Sequence, residues 1–144
     1  MTPQENNEKQ PTAPARRLEI LVADDVDEIT DLIRHWLEDA GHTVTLASNG
    51  REVIELVQKR RFDIVVTDIV MPGVDGWDAI LAVSRIRPEI RILAISGGGK
   101  LMPVDACLRV AKGVGADLVL KKPFRRPEFL AAVNKLASQL SAKG

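Results

Sequence analysis

Five short apolar runs punctuate the chain: 18–23, 43–47, 62–67, 90–95 and 117–120. Four of them are nearly continuous in apolar residues, the pattern of strands covered on both faces, whereas Thr43-Val44-Thr45-Leu46-Ala47 alternates as an edge strand does. Helical periodicity fills the gaps. Ile29, Leu32, Ile33, Trp36, Leu37 and Ala40 fall on one stripe, with Gly41 as a stop, and Phe129, Val133, Leu136, Ala137 and Leu140 form another. Further helices are predicted over 51–59 after Asn49, 77–86 before Pro88, and 103–112 before Gly113. A strand followed by a helix, five times over, predicts a doubly wound α/β domain: a five-stranded parallel sheet with right-handed crossovers and helices on both faces.

The first 16 residues interrupt this regularity. They are rich in Gln, Asn, Thr and Pro, carry no periodic apolar pattern, and read as a disordered tail, leaving residues 17–144 as one domain. No run approaches the roughly 20 apolar residues of a membrane span, and the N-terminus has no apolar signal core, so the chain is expected to be cytoplasmic without membrane insertion. The 20 basic and 20 acidic residues cancel, which argues against direct nucleic-acid binding through bulk charge. The lone Cys107 cannot form an internal disulfide and falls on an apolar stripe with Val104, Leu108 and Ala111, as a buried small hydrophobe would. His35 and His42 have no partners at metal spacing, and Trp36 and Trp77 sit on apolar helix faces, as packing residues do.

In open parallel sheets chemistry gathers beyond the carboxyl ends of the strands. There the chain carries Asp24 and Asp25 after the first run, Asp68 after the third, Ser96 after the fourth and Lys122 after the fifth. Any one acid alone reads as a solvated residue or a helix cap, and Asp25 and Asp27 are both placed to cap the first helix. Together on one rim, three carboxylates repel one another and call for a cation, and an all-oxygen donor set suits Mg²⁺. Gly97-Gly98-Gly99-Lys100 is not a Walker-type phosphate loop, because Ala94 and Leu101 stand where that motif needs Gly and Ser or Thr. It reads instead as a mobile loop next to Ser96.

These residues carry a resemblance. Asp24-Asp25, the segment Val65-Val66-Thr67-Asp68-Ile69-Val70-Met71-Pro72-Gly73-Val74-Asp75-Gly76, Ser96 and Lys122-Pro123-Phe124 resemble the receiver domain of bacterial two-component response regulators over 18–140. The resemblance implies a flavodoxin-like fold with strand order 2-1-3-4-5 and a cis Lys122–Pro123 bond. It implies that Asp68 accepts a phosphoryl group from a histidine kinase or histidine phosphotransfer protein. Asp25, Asp68 and the Val70 backbone carbonyl would ligate Mg²⁺, with Asp24 acting through water, while Lys122, Ser96 and the Gly97 N–H would meet the phosphoryl oxygens. Such a protein is no enzyme beyond its own phosphorylation and dephosphorylation. With nothing after Leu140 to form an output domain, its state is expected to be read by a separate, unknown protein partner.

The departures from the family sharpen these expectations. Val119 stands where receivers often carry an aromatic switch, so activation is expected to reorganise residues 96–103 and the following helix. Val70, two residues past Asp68, has no polar side chain to guide a water, so a slowly hydrolysed phosphoryl group is expected. The same valine disfavours a Mg²⁺-dependent phosphatase with an aspartyl nucleophile, which needs an acid there; a degenerate receiver acting only as a binding module is the other alternative. Arg126 stands before Pro127 where a capping Asp is expected and suggests a surface role. Finally, the neutral total hides a division: residues 18–58 hold ten acids and two bases, and residues 59–144 eight acids and fifteen bases. Solubility alone accounts for two such faces. The sharper expectation is an acidic partner for the late bases Lys100, Arg109, Lys112, Lys121, Arg125 and Arg126.

Overall fold

The computed structural model describes residues 17–70, 76–97 and 103–143, and the expected tail at 1–16 lies outside them. Strands and helices alternate as β1 (Glu19–Ala23), α1 (Asp27–Asp39), β2 (Thr43–Ala47), α2 (Gly50–Lys59), β3 (Ile64–Asp68), α3 (Gly76–Ile86), β4 (Arg91–Ser96), α4 (Val104–Val114), β5 (Leu118–Lys121) and α5 (Arg126–Lys143). Every neighbouring pair is parallel, in the order β2-β1-β3-β4-β5. The direction of winding reverses between β1 and β3, and the carboxyl ends of those two strands form the switch point.

Because successive strand side chains point to opposite faces, the apolar runs feed two core layers. Leu21, Ala23, Val65, Ile92 and Ala94 pack with Val53 and Val57 of α2, Ala79, Ile80 and Val83 of α3, and Cys107, Leu108 and Ala111 of α4. On the other face Ile20, Val22, Ile64, Val66, Leu93 and Ile95 meet Ile33 and Leu37 of α1 and Phe129, Val133 and Leu136 of α5. Cys107 is buried, as its stripe predicted. β2 lies at one edge, as its alternation suggested. β5 forms the other edge, as the order 2-1-3-4-5 placed it; it is half-buried yet covered on both faces, Val119 packing on one core layer and Leu118 and Leu120 on the other.

Strand boundaries move toward the carboxyl ends relative to the apolar runs. β3, β4 and β5 each gain a residue there, so Asp68 and Ser96 are the last residues of strands rather than the first of loops; Ile69 N–H donates to the Ile95 carbonyl at 3.1 Å and prolongs the ladder. At the opposite edge, polar side chains close the sheet. Leu18 N–H donates to His42 Nδ1 (3.2 Å), Glu19 N–H to Asp63 Oδ2 (2.9 Å) and Ile92 N–H to Asp117 Oδ2 (2.8 Å). His42, given no role from sequence, thus satisfies a buried backbone donor.

Two helix ends differ from expectation. Neither Asp25 nor Asp27 caps α1: its N-cap is the extended Val26 without a side-chain cap bond, and Asp27 is already helical. Val26 N–H donates instead to Asp24 Oδ1 at 3.0 Å. α4 runs through Gly113 and stops at Gly115, which takes φ +133° and lies so close to Ser84 that a Cβ would stand 2.9 Å from its Cβ. Asn49 does cap α2, accepting from Glu52 N–H at 2.9 Å, while Ser48 N–H donates back to Glu52 Oε1 at 2.7 Å.

His42 accepts only when neutral, and burial holds its pKa below the ordinary 6.5, against the pull of Asp63. The unfolded chain therefore takes up a proton near pH 6.5 that the folded chain refuses, and stability is lost as pH falls below that value. His42→Asn, which keeps an acceptor but cannot titrate, is expected to flatten the decline in unfolding free energy between pH 7 and pH 5 in urea titrations.

Candidate functional site

Sheet register builds the site. Ala23 pairs with Thr67, so Asp24 and Asp68 stand side by side at the switch point. Asp68 pairs with Ile95, which puts Ser96 one step beyond, and Ser96 pairs with Lys121, which puts Lys122 at the same rim. Lys122 N–H donates to the Ser96 carbonyl at 2.9 Å, and the Lys122–Pro123 bond is cis, as the resemblance implied. Asp24, Asp68 and Ser96 are buried, Asp25, Val70 and Gly97 are exposed, and the Lys122 side chain is 18% exposed. Lys122 Nζ lies 2.8 Å from Asp24 Oδ2 and 3.5 Å from Asp68 Oδ1, bridging the two buried acids.

Burial, then the neighbouring Asp24 charge, pushes the Asp68 carboxyl from its ordinary 3.8 up to about 6, against the pull of Lys122 and of the Ile69 N–H that donates to Asp68 Oδ1 at 2.9 Å. Repulsion among the acids therefore acts as the sequence suggested, but desolvation is the larger cause. Asp24, Asp25 and Asp68 each offer a carboxylate oxygen within 4.8 Å of the others. This hard, anionic set fits a divalent cation such as Mg²⁺, and one ammonium leaves negative charge for it to neutralise.

A cavity of about 450 Å³ opens beside Lys122, lined by Ile29, Leu32, Ile33 and Trp36 of α1 together with Gly97, Pro123 and Phe124. Trp36 meets Phe124 edge-on at 6.2 Å and Phe129 at 5.8 Å between ring centroids. Trp77 packs against the other core layer, and its indole N–H donates to the Cys107 carbonyl at 3.3 Å.

The family model for the response regulator receiver domain matches residues 20–134. This chain belongs to that family. The receiver domain is 31% identical over 121 residues to the response regulator SaeR of Staphylococcus aureus, an alignment covering 84% of this chain and 51% of the relative. The chain spans about half the length of the curated relatives it matches. Among solved structures it superposes on the Francisella response regulator 1452 receiver domain (TM-score 0.76, 27% identity, 85% of this chain and 98% of that one). It likewise superposes on the Vibrio cholerae chemotaxis protein CheY4 (TM-score 0.74, 30% identity, 84% and 99%). Members of the family are phosphoacceptor signalling proteins that bind Mg²⁺ at an acidic pocket, and this receiver domain carries such an acidic cluster.

One position that supports this receiver site was only part of a motif in the sequence. Gly76 N–H donates to the Ile69 carbonyl at 2.8 Å, and a Cβ on Gly76 would overlap the Asp68 carbonyl oxygen and Ile69 Cα. Nothing local in the sequence announces that α3 begins against the peptide of Asp68. Gly76→Ala is expected to force that backbone aside, costing roughly 1–3 kcal/mol of stability and slowing phosphorylation by about tenfold or more. Chemical denaturation and intact-mass time courses measure the two effects.

The raised Asp68 pKa links the stability of the metal-free chain to pH. Between pH 3.8 and about 6 the folded chain keeps a proton that the unfolded chain has released, so metal-free stability falls as pH rises through that window. The shift of about two units corresponds to roughly 3 kcal/mol. Asp68→Asn is expected to raise Tm by on the order of 5 °C at pH 8 in chelator, with the gain shrinking toward pH 4.

Proposed function

We propose that Asp68 takes a phosphoryl group from a phosphohistidine on a histidine kinase or histidine phosphotransfer protein. A carboxylate oxygen of Asp68 attacks phosphorus as the P–N bond breaks, and the imidazole leaves with that electron pair and regains a proton from solvent if needed. Asp25, Asp68 and the Val70 carbonyl would hold Mg²⁺, with Asp24 acting through water; the bound ion supplies charge neutralisation for the transferring group. Lys122 Nζ turns from the buried acids to a phosphoryl oxygen, and the Ser96 hydroxyl and Gly97 N–H donate to the others. The observation that carries this reading is the ammonium between two buried carboxylates at the switch point, 2.8 Å from Asp24 and 3.5 Å from Asp68.

The apolar cavity beside Lys122 suits a helix of the donor protein, which would bring its histidine to the same rim. The phosphorylated state would be read by a downstream protein target in the cytoplasm. Among the described residues no helix is long and apolar enough to cross a membrane. Arg109, Lys112, Lys121, Arg125 and Arg126 are all exposed, which supports an acidic partner for this face. Lys121 reaches Asp105 at 3.8 Å and Arg126 reaches Asp39 at 3.6 Å, exposed pairs too weak to withhold these cations. The Arg126 pair also gives that residue a structural partner on α1 that its position before Pro127 did not suggest. Lys100, and the part of the expected switch segment at 98–102, lie outside the described residues.

With Mg²⁺ and acetyl phosphate, intact mass is expected to show one added phosphoryl group that Asp68→Asn abolishes. No adduct even with a histidine donor present would favour a binding module, and multiple turnover of an organic phosphate would favour a phosphatase. Val70 is 46% exposed and apolar at the mouth of the site. Val70→Asn, which gives an attacking water a polar neighbour, is expected to shorten the phosphoryl lifetime several-fold, as a mass time course after donor removal would show.

A further inference from the structure

The peptide of Asp68 has a close neighbour that leads away from the site. Gly76, the first residue of α3, donates its N–H to the Ile69 carbonyl at 2.8 Å and leaves no room for a Cβ against the Asp68 carbonyl oxygen. A shift of the Asp68–Ile69 backbone must therefore be passed to the start of α3, because close-packed groups cannot absorb it. The next residue is Trp77. Its half-buried ring packs against the core layer that contains Ile69, Cys107 and Ala111, and its Nε1–H donates to the Cys107 carbonyl at 3.3 Å. Cys107 lies in the first turn of α4, a helix whose N-cap, Pro103, makes no side-chain cap bond. The indole is thus a hydrogen-bonded tie from α3 to the first turn of α4, beside the core packing of Cys107 and the exposed Lys121–Asp105 pair. Val119, on the strand beside α4, packs into the same layer but has no polar atom with which to hold a partner.

We propose that Trp77 is the positioning residue through which the state of Asp68 reaches α4, a proposal that rests on reading Asp68 as the phosphoacceptor. Phosphorylation adds charge and hydrogen-bond acceptors at Asp68. The adjustment of its backbone carries Gly76 with it, and Trp77 changes its hold on the Cys107 carbonyl, altering the position or local stability of the first turns of α4. The path consists of two short contacts and one rigid ring, and it involves none of residues 98–102.

The test uses the full chain labelled with 5-fluorotryptophan, whose two tryptophans give two fluorine resonances, the one absent from Trp77→Phe being Trp77. Adding beryllofluoride with Mg²⁺ is expected to move the Trp77 resonance and to change hydrogen exchange in residues 104–111 by about threefold or more. In Trp77→Phe, which keeps an aromatic ring but loses the N–H donor, acetyl phosphate is expected to add the same mass while the exchange response of 104–111 largely disappears. A stationary Trp77 resonance in the labelled unsubstituted chain overturns the proposal without relying on any variant's folding. So does an exchange response in 104–111 that is absent from the unsubstituted chain, or one that survives in Trp77→Phe. These outcomes, obtained with a normal mass adduct, sink the coupling alone. Failure of the unsubstituted chain to take a phosphoryl group or beryllofluoride sinks the phosphoacceptor reading and this inference with it.

Discussion

Two carboxylates buried side by side need positive charge, and the rim of this sheet is organised around that need. Asp24 and Asp68 are buried side by side at the switch point, and the Asp24 charge adds to the cost of ionising Asp68. Lys122 partly meets the demand by reaching between them. One ammonium against two buried acids and the adjacent Asp25 leaves an excess of negative charge, the condition under which a hard cation binds. A phosphoryl group then brings charge of the same sign as the acids, so the lysine that neutralises them at rest is the group best placed to follow the new oxygens. On the proposed reading, the resting ion pair and the chemical role would be two uses of one side chain.

Parallel register makes this arrangement possible. Four strands deliver one group each to a row, Asp24, Asp68, Ser96 and Lys122, because each pairing places the next group at the same height. Small errors of register would bury the wrong side chains on both faces, so the core layers that stabilise the sheet also hold the row. The opposite edge shows the complementary device. There His42, Asp63 and Asp117 accept from backbone N–H groups of β1, β4 and the residue before β1, closing the sheet with side chains that take no part in the chemistry. One end of the sheet is closed by side chains that accept from its backbone, and the other gathers two buried acids, a hydroxyl and an ammonium.

The two faces of the sheet divide the work around the site. α1 and α5 close one face, where Trp36, Phe124 and Phe129 form an aromatic cluster beside the cavity next to Lys122. α3 and α4 cover the other, where Gly76 seats the start of α3 against the peptide of Asp68 and Trp77 ties it to α4. On the proposed readings, an incoming protein and an outgoing structural change would use different sides of one carboxylate.

Much of this was legible in the chain. Alternating apolar runs and helical stripes determined a doubly wound sheet, because burial on two faces or one leaves a periodic mark on the sequence. The rule that ligands sit at carboxyl ends then selected Asp24, Asp25, Asp68, Ser96 and Lys122. Other features left no such mark. The composition of β5 marks a strand covered on both faces, which it is, but says nothing of its place at an edge; that followed only from the family resemblance, since strand order depends on how crossovers wind. Gly113 looked like the stop of α4, but Gly115 alone takes the positive φ that ends it and alone lies against Ser84. Arg126 finds Asp39, His42 finds Leu18 N–H, and Gly76 finds the Asp68 peptide, each across a separation that periodicity does not span. The sequence by itself determined which residues form strands and helices and which chemistry stands at their ends, because those follow from local pattern. Only the tertiary structure decided which charges share a buried space and which backbone leaves no room for a side chain, because desolvation and steric exclusion depend on what packs from elsewhere in the chain.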